Sequence, residues 1–143
     1  MATTKNILVP LDFSKHSQAA LHRAIVLARE LRAKLLLVHV ITAPAATVPL
    51  PYRAQYYNEF EQEAIRAIER LLRRKKVPTE DYRLVILRGD DAAQLVVQQA
   101  AKSRSFMIVM GSQGRTGLRR LILGSVAEKT LRYAKCPILI VKR

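Results

Sequence analysis

Tryptophan is absent from this chain, cysteine occurs once, and glycine only five times in 143 residues. The lone thiol, Cys136, can close no internal disulfide, which agrees with a reducing compartment. It heads an apolar run and has no second thiol to resolve an oxidised form, so it reads as a packing residue. Acidic side chains are scarce too, 11 against 25 lysines and arginines, for a net charge of +14. Such a balance attracts polyanions but says nothing about fold. Aromatics make up only 6%. With neither stacking residues nor a recognisable reading element, sequence-specific nucleic-acid binding is not expected, and most of the charge reads as a solvated surface. No apolar run is long enough to cross a bilayer, and the polar start Met1 to Lys5 is unlike a signal peptide. The expectation is a cytoplasmic protein with no membrane partner. Neither G-x-x-x-x-G-K-[ST] nor G-x-G-x-x-G occurs, which sets aside the P-loop and the usual dinucleotide fingerprint. There is no metal-ligand cluster, and no G-x-S-x-G elbow surrounds a serine. Ser14 near His16 therefore lacks the orienting third group of a nucleophile. No internal repeat or low-complexity segment is present.

What the chain does have is apolar residues, 50% of the total, enough for one globular domain spanning 1–143. Asn6 to Leu11 is an apolar run that stops at a turn with Pro10 and Asp12. From Ser14 the spacing becomes helical, with Ala20, Leu21, Ala24, Leu27, Ala28 and Leu31 on one face. Lys34 to Val40 is a second strand, apolar on both faces as parallel strands covered by helices are. The proline-rich stretch Thr42 to Pro51 reads as a loop. A second helix buries Tyr57, Phe60, Ala64, Ile68, Leu71 and Leu72, and its basic end Arg73-Arg74-Lys75-Lys76 suits the negative pole of the dipole. Pro78 breaks the chain before a third strand, Tyr82 to Leu87. Asp91-Ala92-Ala93-Gln94 has the form of a capping box opening a third helix. Met107 to Met110 and Ile138 to Val141 are the last two strands. The order β-α-β-α-β-α-β-loop-α-β, with right-handed crossovers, predicts a doubly wound α/β domain with helices on both faces of one parallel sheet.

One stretch reads as a phosphate site. Val109-Met110-Gly111-Ser112-Gln113-Gly114 ends a strand, a basic loop with Arg115, Arg119 and Arg120 follows, and Leu123-Gly124-Ser125-Val126 opens a helix. The C-terminal edge of a parallel sheet is where ligands sit, and a following helix offers free N–H groups and a positive dipole end to an anion. Glycines at 111, 114 and 124 allow close backbone approach or a positive φ. Gly117 is read as loop flexibility.

The spacing Gly111-x2-Gly114-x9-Gly124-Ser125 resembles the nucleotide-binding signature of the universal stress protein family. So do Val9-Pro10-Leu11-Asp12-Phe13-Ser14, Val38-His39-Val40, Gly124-Ser125-Val126-Ala127-Glu128 and Cys136-Pro137-Ile138-Leu139-Ile140-Val141, in the right order and at the right distances across nearly the whole chain. Phe106, where members commonly have an acidic residue, and Lys135, where a small residue or proline is usual, depart from the pattern without touching the glycines. The resemblance implies a Rossmann-like sheet of five parallel strands in the order 3-2-1-4-5, whose crevice between strands 1 and 4 is flanked by Asp12 and Gly111. It also implies an adenine nucleotide, ATP, held as a sensor or regulatory ligand in stress response, and a homodimer paired through the C-terminal strand. The implied site comprises Pro10, Leu11, Asp12, Val40, Met110, Gly111, Gln113, Gly114, Arg115, Gly124, Ser125 and Val126. Asp12 would face base and ribose, and could hold Mg²⁺ through water.

Other readings stay open. Ser125 with Glu128 spells a second capping box, so the hydroxyl can cap the helix, lie against phosphate, or do both. Asp12 can be a helix cap or a surface carboxylate. His39, inside an apolar strand, reads as a satisfied core histidine, while His16 and His22 read as helix-surface residues. The rival functions are a slow ATPase, for which Arg115, Arg119 and Arg120 could steady a γ-phosphate but no group stands out to position water, and a nucleotide-independent dimer that docks on an acidic partner.

Overall fold

A computed structural model describes residues 4–43, 46–114 and 123–143. The elements run β1 (Asn6–Pro10), α1 (Lys15–Leu31), β2 (Lys34–Ile41), α2 (Arg53–Arg74), β3 (Tyr82–Arg88), α3 (Ala92–Lys102), β4 (Met107–Gly111), α4 (Ser125–Tyr133) and β5 (Ile138–Val141), with short 3₁₀ turns at Leu50–Tyr52 and Thr79–Asp81. The strands form one parallel sheet in the order β3-β2-β1-β4-β5, as expected.

Period-2 alternation divides the strands' side chains between two cores. Ile7 and Val9 of β1, Leu35 and Leu37 of β2, and Val109 of β4 point to one face, where α1 contributes Leu21 and Ala24 and α2 contributes Ile68 and Leu72. Leu8, Leu36, Val38, Ile108 and Met110 point to the other, under Val96 and Ala100 of α3 and Ala127 of α4. This is why the central strands read as continuous apolar runs. Burying each of their large side chains stabilises the fold by about 1.5–3 kcal/mol.

Helix starts follow their caps. The Ser14 side chain accepts from the Ser17 N–H at 3.1 Å, and Asp91 Oδ1 accepts from the Gln94 N–H at 3.1 Å. The second box, at Ser125, does not form. Gly124 is the N-cap of α4, Ser125 lies in the first turn, and among the described residues no side chain caps the end. One residue of register makes the difference, because the S-x-x-E pattern works only when the serine itself is half outside the helix.

The ends of α1, α2 and α3 share a geometry that the sequence did not betray. Ala33 N–H bonds the Ala28 carbonyl (2.9 Å), Val77 N–H that of Leu72 (3.0 Å) and Ser105 N–H that of Ala100 (3.0 Å). Each bond wraps a left-handed residue just after the helix, Arg32 (φ 53°), Lys76 (φ 56°) and Arg104 (φ 53°). For a residue with a Cβ that conformation costs about 1–2 kcal/mol, which is why glycine usually takes it.

Two packing expectations need correcting. Phe60 is 44% exposed and Leu31 41% exposed. The first turns of α2 stand off the sheet, so Phe60 stacks on Tyr56 (ring centroids 4.4 Å apart) beside a cavity instead of entering the core, while Ala64, Ile68, Leu71 and Leu72 are buried as anticipated. Leu31 is the final residue of α1, beyond the reach of the strands. Gly117, Arg119 and Arg120 lie outside the described residues.

Candidate functional site

β1 and β4 are neighbours whose chains leave toward opposite faces of the sheet, β1 into α1 and, beyond β4, the chain reaching α4. The crevice this creates at their C-terminal ends holds a cavity of about 110 Å³. Pro10, Leu11 and Asp12 line it on the β1 side, Met110, Gly111, Gln113 and Gly114 on the β4 side, Val40 from β2 and Val126 from α4. Gly124 and Ser125 lie at the start of α4 beside it, and Arg115 falls outside the described residues. Sequence reasoning missed Ser17, Val38, Ala92, Val96 and Ala127, which also face the cavity. Ala92 and Val96 were within reach, since they stand four apart on the helix that Asp91 caps. The pairing of α3 with α4 over this opening was not.

Asp12 is fixed by the turn it sits in. Its Oδ1 accepts from the Ser14 N–H at 2.9 Å, and its own N–H meets Ser17 Oγ at 3.4 Å. The other oxygen, Oδ2, faces Gly114, where a Cβ would stand 3.0 Å from it. The carboxylate and the glycine are thus opposite lips of one opening. The next residue, Phe13, has φ 67°, unusual for an aromatic, and its ring lies 5.0 Å from that of His39. His39 is buried, with Nδ1 2.6 Å from the Leu11 carbonyl oxygen, to which an Nδ1–H donates. That bond is what makes it the satisfied core histidine anticipated, and it ties the β1–α1 turn to β2.

The three signature glycines have separate structural duties, and none takes a positive φ. A Cβ on Gly111 would lie 2.7 Å from the carbonyl carbon of His16 and 2.8 Å from its oxygen, so this glycine lets α1 pack against β4. His16 is therefore no simple surface residue: its Nδ1 is buried and unpartnered among the described residues. Gly124 donates its N–H to the Ser112 carbonyl at 2.7 Å, and a Cβ there would meet Gln113 Cα at 3.3 Å. The chain thus returns to the point it left at Gly114, and α4 begins at the mouth of the crevice with no side-chain cap on its first N–H groups among the described residues.

The cavity contains one carboxylate, Asp12, and no group of three or more potential metal ligands occurs among the described residues. Desolvation pushes the thiol of Cys136 above its ordinary pKa, which keeps it protonated and unreactive and fits a packing role. No described helix is long and apolar enough to cross a membrane.

A doubly wound parallel sheet with a glycine-lined crevice at its switch point defines a class of α/β domains whose ligands sit at the carboxyl ends of the strands. Within that class the profile of the Universal stress protein family matches residues 3–142, and the chain belongs to that family. It is 34% identical over 146 residues to universal stress protein MJ0531 of Methanocaldococcus jannaschii, covering 97% of this chain and 82% of the relative. It is 30% identical to YxiE of Bacillus subtilis, covering 95% and 97%. Among solved structures, hypothetical protein MJ0577 superposes with a TM-score of 0.84 at 27% identity over 99% of this chain and 98% of that one. A universal stress protein from Archaeoglobus fulgidus in complex with dAMP shares the fold, with a TM-score of 0.70 at 21% identity over 99% of this chain and all of the other.

Proposed function

We propose that this protein binds an adenine nucleotide, ATP, in the crevice between β1 and β4, and acts in the cytoplasm as a sensor or regulatory module of stress response. The observation that carries the reading is the pairing of lips: a carboxylate held by its own turn on one side, and on the other Gly114, whose bare backbone faces it, with Gly124 packed on the Gln113–Gly114 backbone beside the opening. The apolar walls from Val40, Met110 and Val126 suit a base. The uncapped start of α4 beyond Gly124 suits phosphate, which takes backbone N–H groups and a positive dipole end. Asp12 is the residue that would carry Mg²⁺, through water, since that ion needs few protein ligands when phosphates supply the rest. Ser125, freed from capping, and Arg115 are the side chains assigned to the phosphates. The A. fulgidus protein found with dAMP gives the fold a precedent for the ligand class.

Calorimetric titration of ATP into Gly114→Val and Gly124→Val tests the site. A Val at 114 projects toward the Asp12 carboxylate and narrows the opening, and one at 124 presses on the Gln113 and Gly114 backbone that forms its β4-side lip. Each variant is expected to remain folded and to bind ATP at least about tenfold more weakly, a loss of roughly 1.4 kcal/mol. Unchanged affinity in both folded variants removes the site.

A further inference from the structure

The nucleotide reading leaves unused a concentration of charge at the opposite end of the sheet. Helices of a doubly wound domain run antiparallel to its strands, so α1, α2 and α3 all finish at the strands' N-terminal edge. Arg29 and Arg32 end α1, Arg73 and Arg74 end α2 with Lys76 beyond, and Lys102 ends α3 with Arg104 beyond, all exposed. Lys5 and Lys34 begin the central strands on the same edge, where the Lys34 N–H bonds the Lys5 carbonyl at 2.8 Å and the Phe106 N–H bonds that of Asn6 at 3.0 Å. The acids close to these cations along the chain are Glu30, Glu69, Glu80 and Asp81, and the Lys34 ammonium donates to the Glu80 backbone carbonyl. Even so, the ion pairs among the described residues, Arg88–Glu61, Lys129–Asp91 and Arg132–Glu128, engage none of these cations.

Complementing the helix dipole accounts for cations in a last turn, such as Arg29, Arg73 and Lys102. It does not account for Arg32, Lys76 and Arg104. Each occupies the left-handed position after a helix, where glycine relieves strain, and three unrelated helix ends make the same substitution of a long cation. A preference for charge over backbone comfort, repeated on one edge, points to something anionic that binds there.

We propose that this edge docks the phosphate backbone of duplex nucleic acid without sequence preference. Five strands about 4.8 Å apart make an edge about 19 Å long, and a duplex carries one charge per about 1.7 Å of axis on its two strands together, so that length holds about eleven phosphates, of which about half face the protein. The cations on the edge match that number in order of magnitude. A single strand would want aromatic platforms, but Tyr82 and Phe106 are half buried in the core and Lys5 covers the Phe106 ring at 5.8 Å. An anionic membrane would want an apolar anchor, and at the ends of these three helices Leu31 is the one exposed large hydrophobic side chain among the described residues. The edge lies at the other end of the strands from the crevice, so the two sites are independent.

Fluorescence anisotropy with two labelled 20-base-pair DNA duplexes of unrelated sequence, titrated between 50 and 200 mM salt, tests this. The wild type is expected to bind both equally, with a slope of log affinity against log salt of about −4 to −5, as for five or so phosphate contacts. The triple variant Arg32→Gly, Lys76→Gly, Arg104→Gly should melt no lower than wild type yet bind at least tenfold more weakly at 50 mM salt, its slope shallower by about 2–3. If its melting point falls, Arg73→Glu with Arg74→Glu, which leaves the left-handed positions alone, carries the binding test with the same expected loss. Equal affinity and slope in wild type and variants overturns the proposal. So does tighter binding to a single strand than to the duplex, or binding to vesicles containing phosphatidylserine without binding to DNA.

Discussion

Gly111 and Gly114 look alike in the sequence and are separated by the structure. A methyl group at 111 would press on the backbone of His16 at 2.7–2.8 Å, and a helix backbone yields only by moving α1 away from β4. Gly111→Ala is therefore expected to destabilise the fold by about 1–3 kcal/mol, the usual range for overpacking, read as a lower midpoint in urea. At 114 the nearest atom is a carboxylate oxygen at 3.0 Å, the end of a side chain and not a helix backbone. Gly114→Ala should leave the midpoint nearly unchanged and act on ATP affinity instead. Equal stability losses in the two variants would contradict the assignment. His39 extends the same reasoning to a polar group. Replacing it by Ala takes the donor from the Leu11 carbonyl and the ring from beside Phe13, whose left-handed backbone relies on its surroundings. The expected cost is about 1–3 kcal/mol for the stranded acceptor, accompanied by weaker ATP binding because the displaced turn carries Asp12. A His39→Ala protein with wild-type stability would show that the bond is ornamental.

At the scale of elements, α3 and α4, which both wall the crevice, are joined to each other by the Lys129–Asp91 ion pair. The Lys129 ammonium, and next the Gln94 N–H, hold the Asp91 carboxyl below its ordinary pKa. A carboxyl with a depressed folded pKa stabilises the fold above its unfolded pKa, near 3.9, and that contribution disappears as pH falls through the lower, folded value. Asp91→Asn keeps a capping oxygen but loses the charge, so it should melt below wild type at pH 7 and converge with it in strong acid. A melting difference that does not change between pH 7 and pH 2 would place the effect in the cap alone. The cap was readable from Asp91-x-x-Gln94, as was every strand, because buried parallel strands and amphipathic helices write distinct periods; the sheet order came only from the family resemblance, since no period records which strands are neighbours. Lys129 as partner was not readable, since an ion pair 38 residues apart depends on how two helices dock. Whether Ser125 caps α4 stayed open for a related reason: two adjacent residues, Gly124 and Ser125, are both good N-caps, and only the packing of Gly124 on Ser112 to Gly114 decides between them. The candidate site was legible where one strand end and one glycine motif define it, and illegible where α3 closes over it.

For the whole molecule, the sheet has two edges, and they are finished differently. β3 carries Arg83 and Arg88, the latter bonded to Glu61 and Asn58 and set 5.3 Å over the Tyr57 ring, so that edge is charged and partly covered. β5 reads Ile138-Leu139-Ile140-Val141, with no charge, and Leu139 is 36% exposed. The carbonyls of Pro137 and Val141 accept from Ile108 and Ser112 of the β4 side. Since the N–H and C=O of one residue share a side of the strand, those of Ile138 and Ile140 face outward. Two copies related by a two-fold axis can pair these groups only in antiparallel fashion, which would extend the sheet and bring the two Leu139 side chains together near the axis. The expected state in sedimentation velocity at micromolar concentration is therefore a dimer. Leu139→Glu places like charges against each other at the axis while leaving Ile138 and Ile140 in the core, so it should sediment as a folded monomer. Leu139→Met, which conserves volume, should remain dimeric. A wild-type monomer, or a dimer indifferent to glutamate at 139, would move the assembly to another surface.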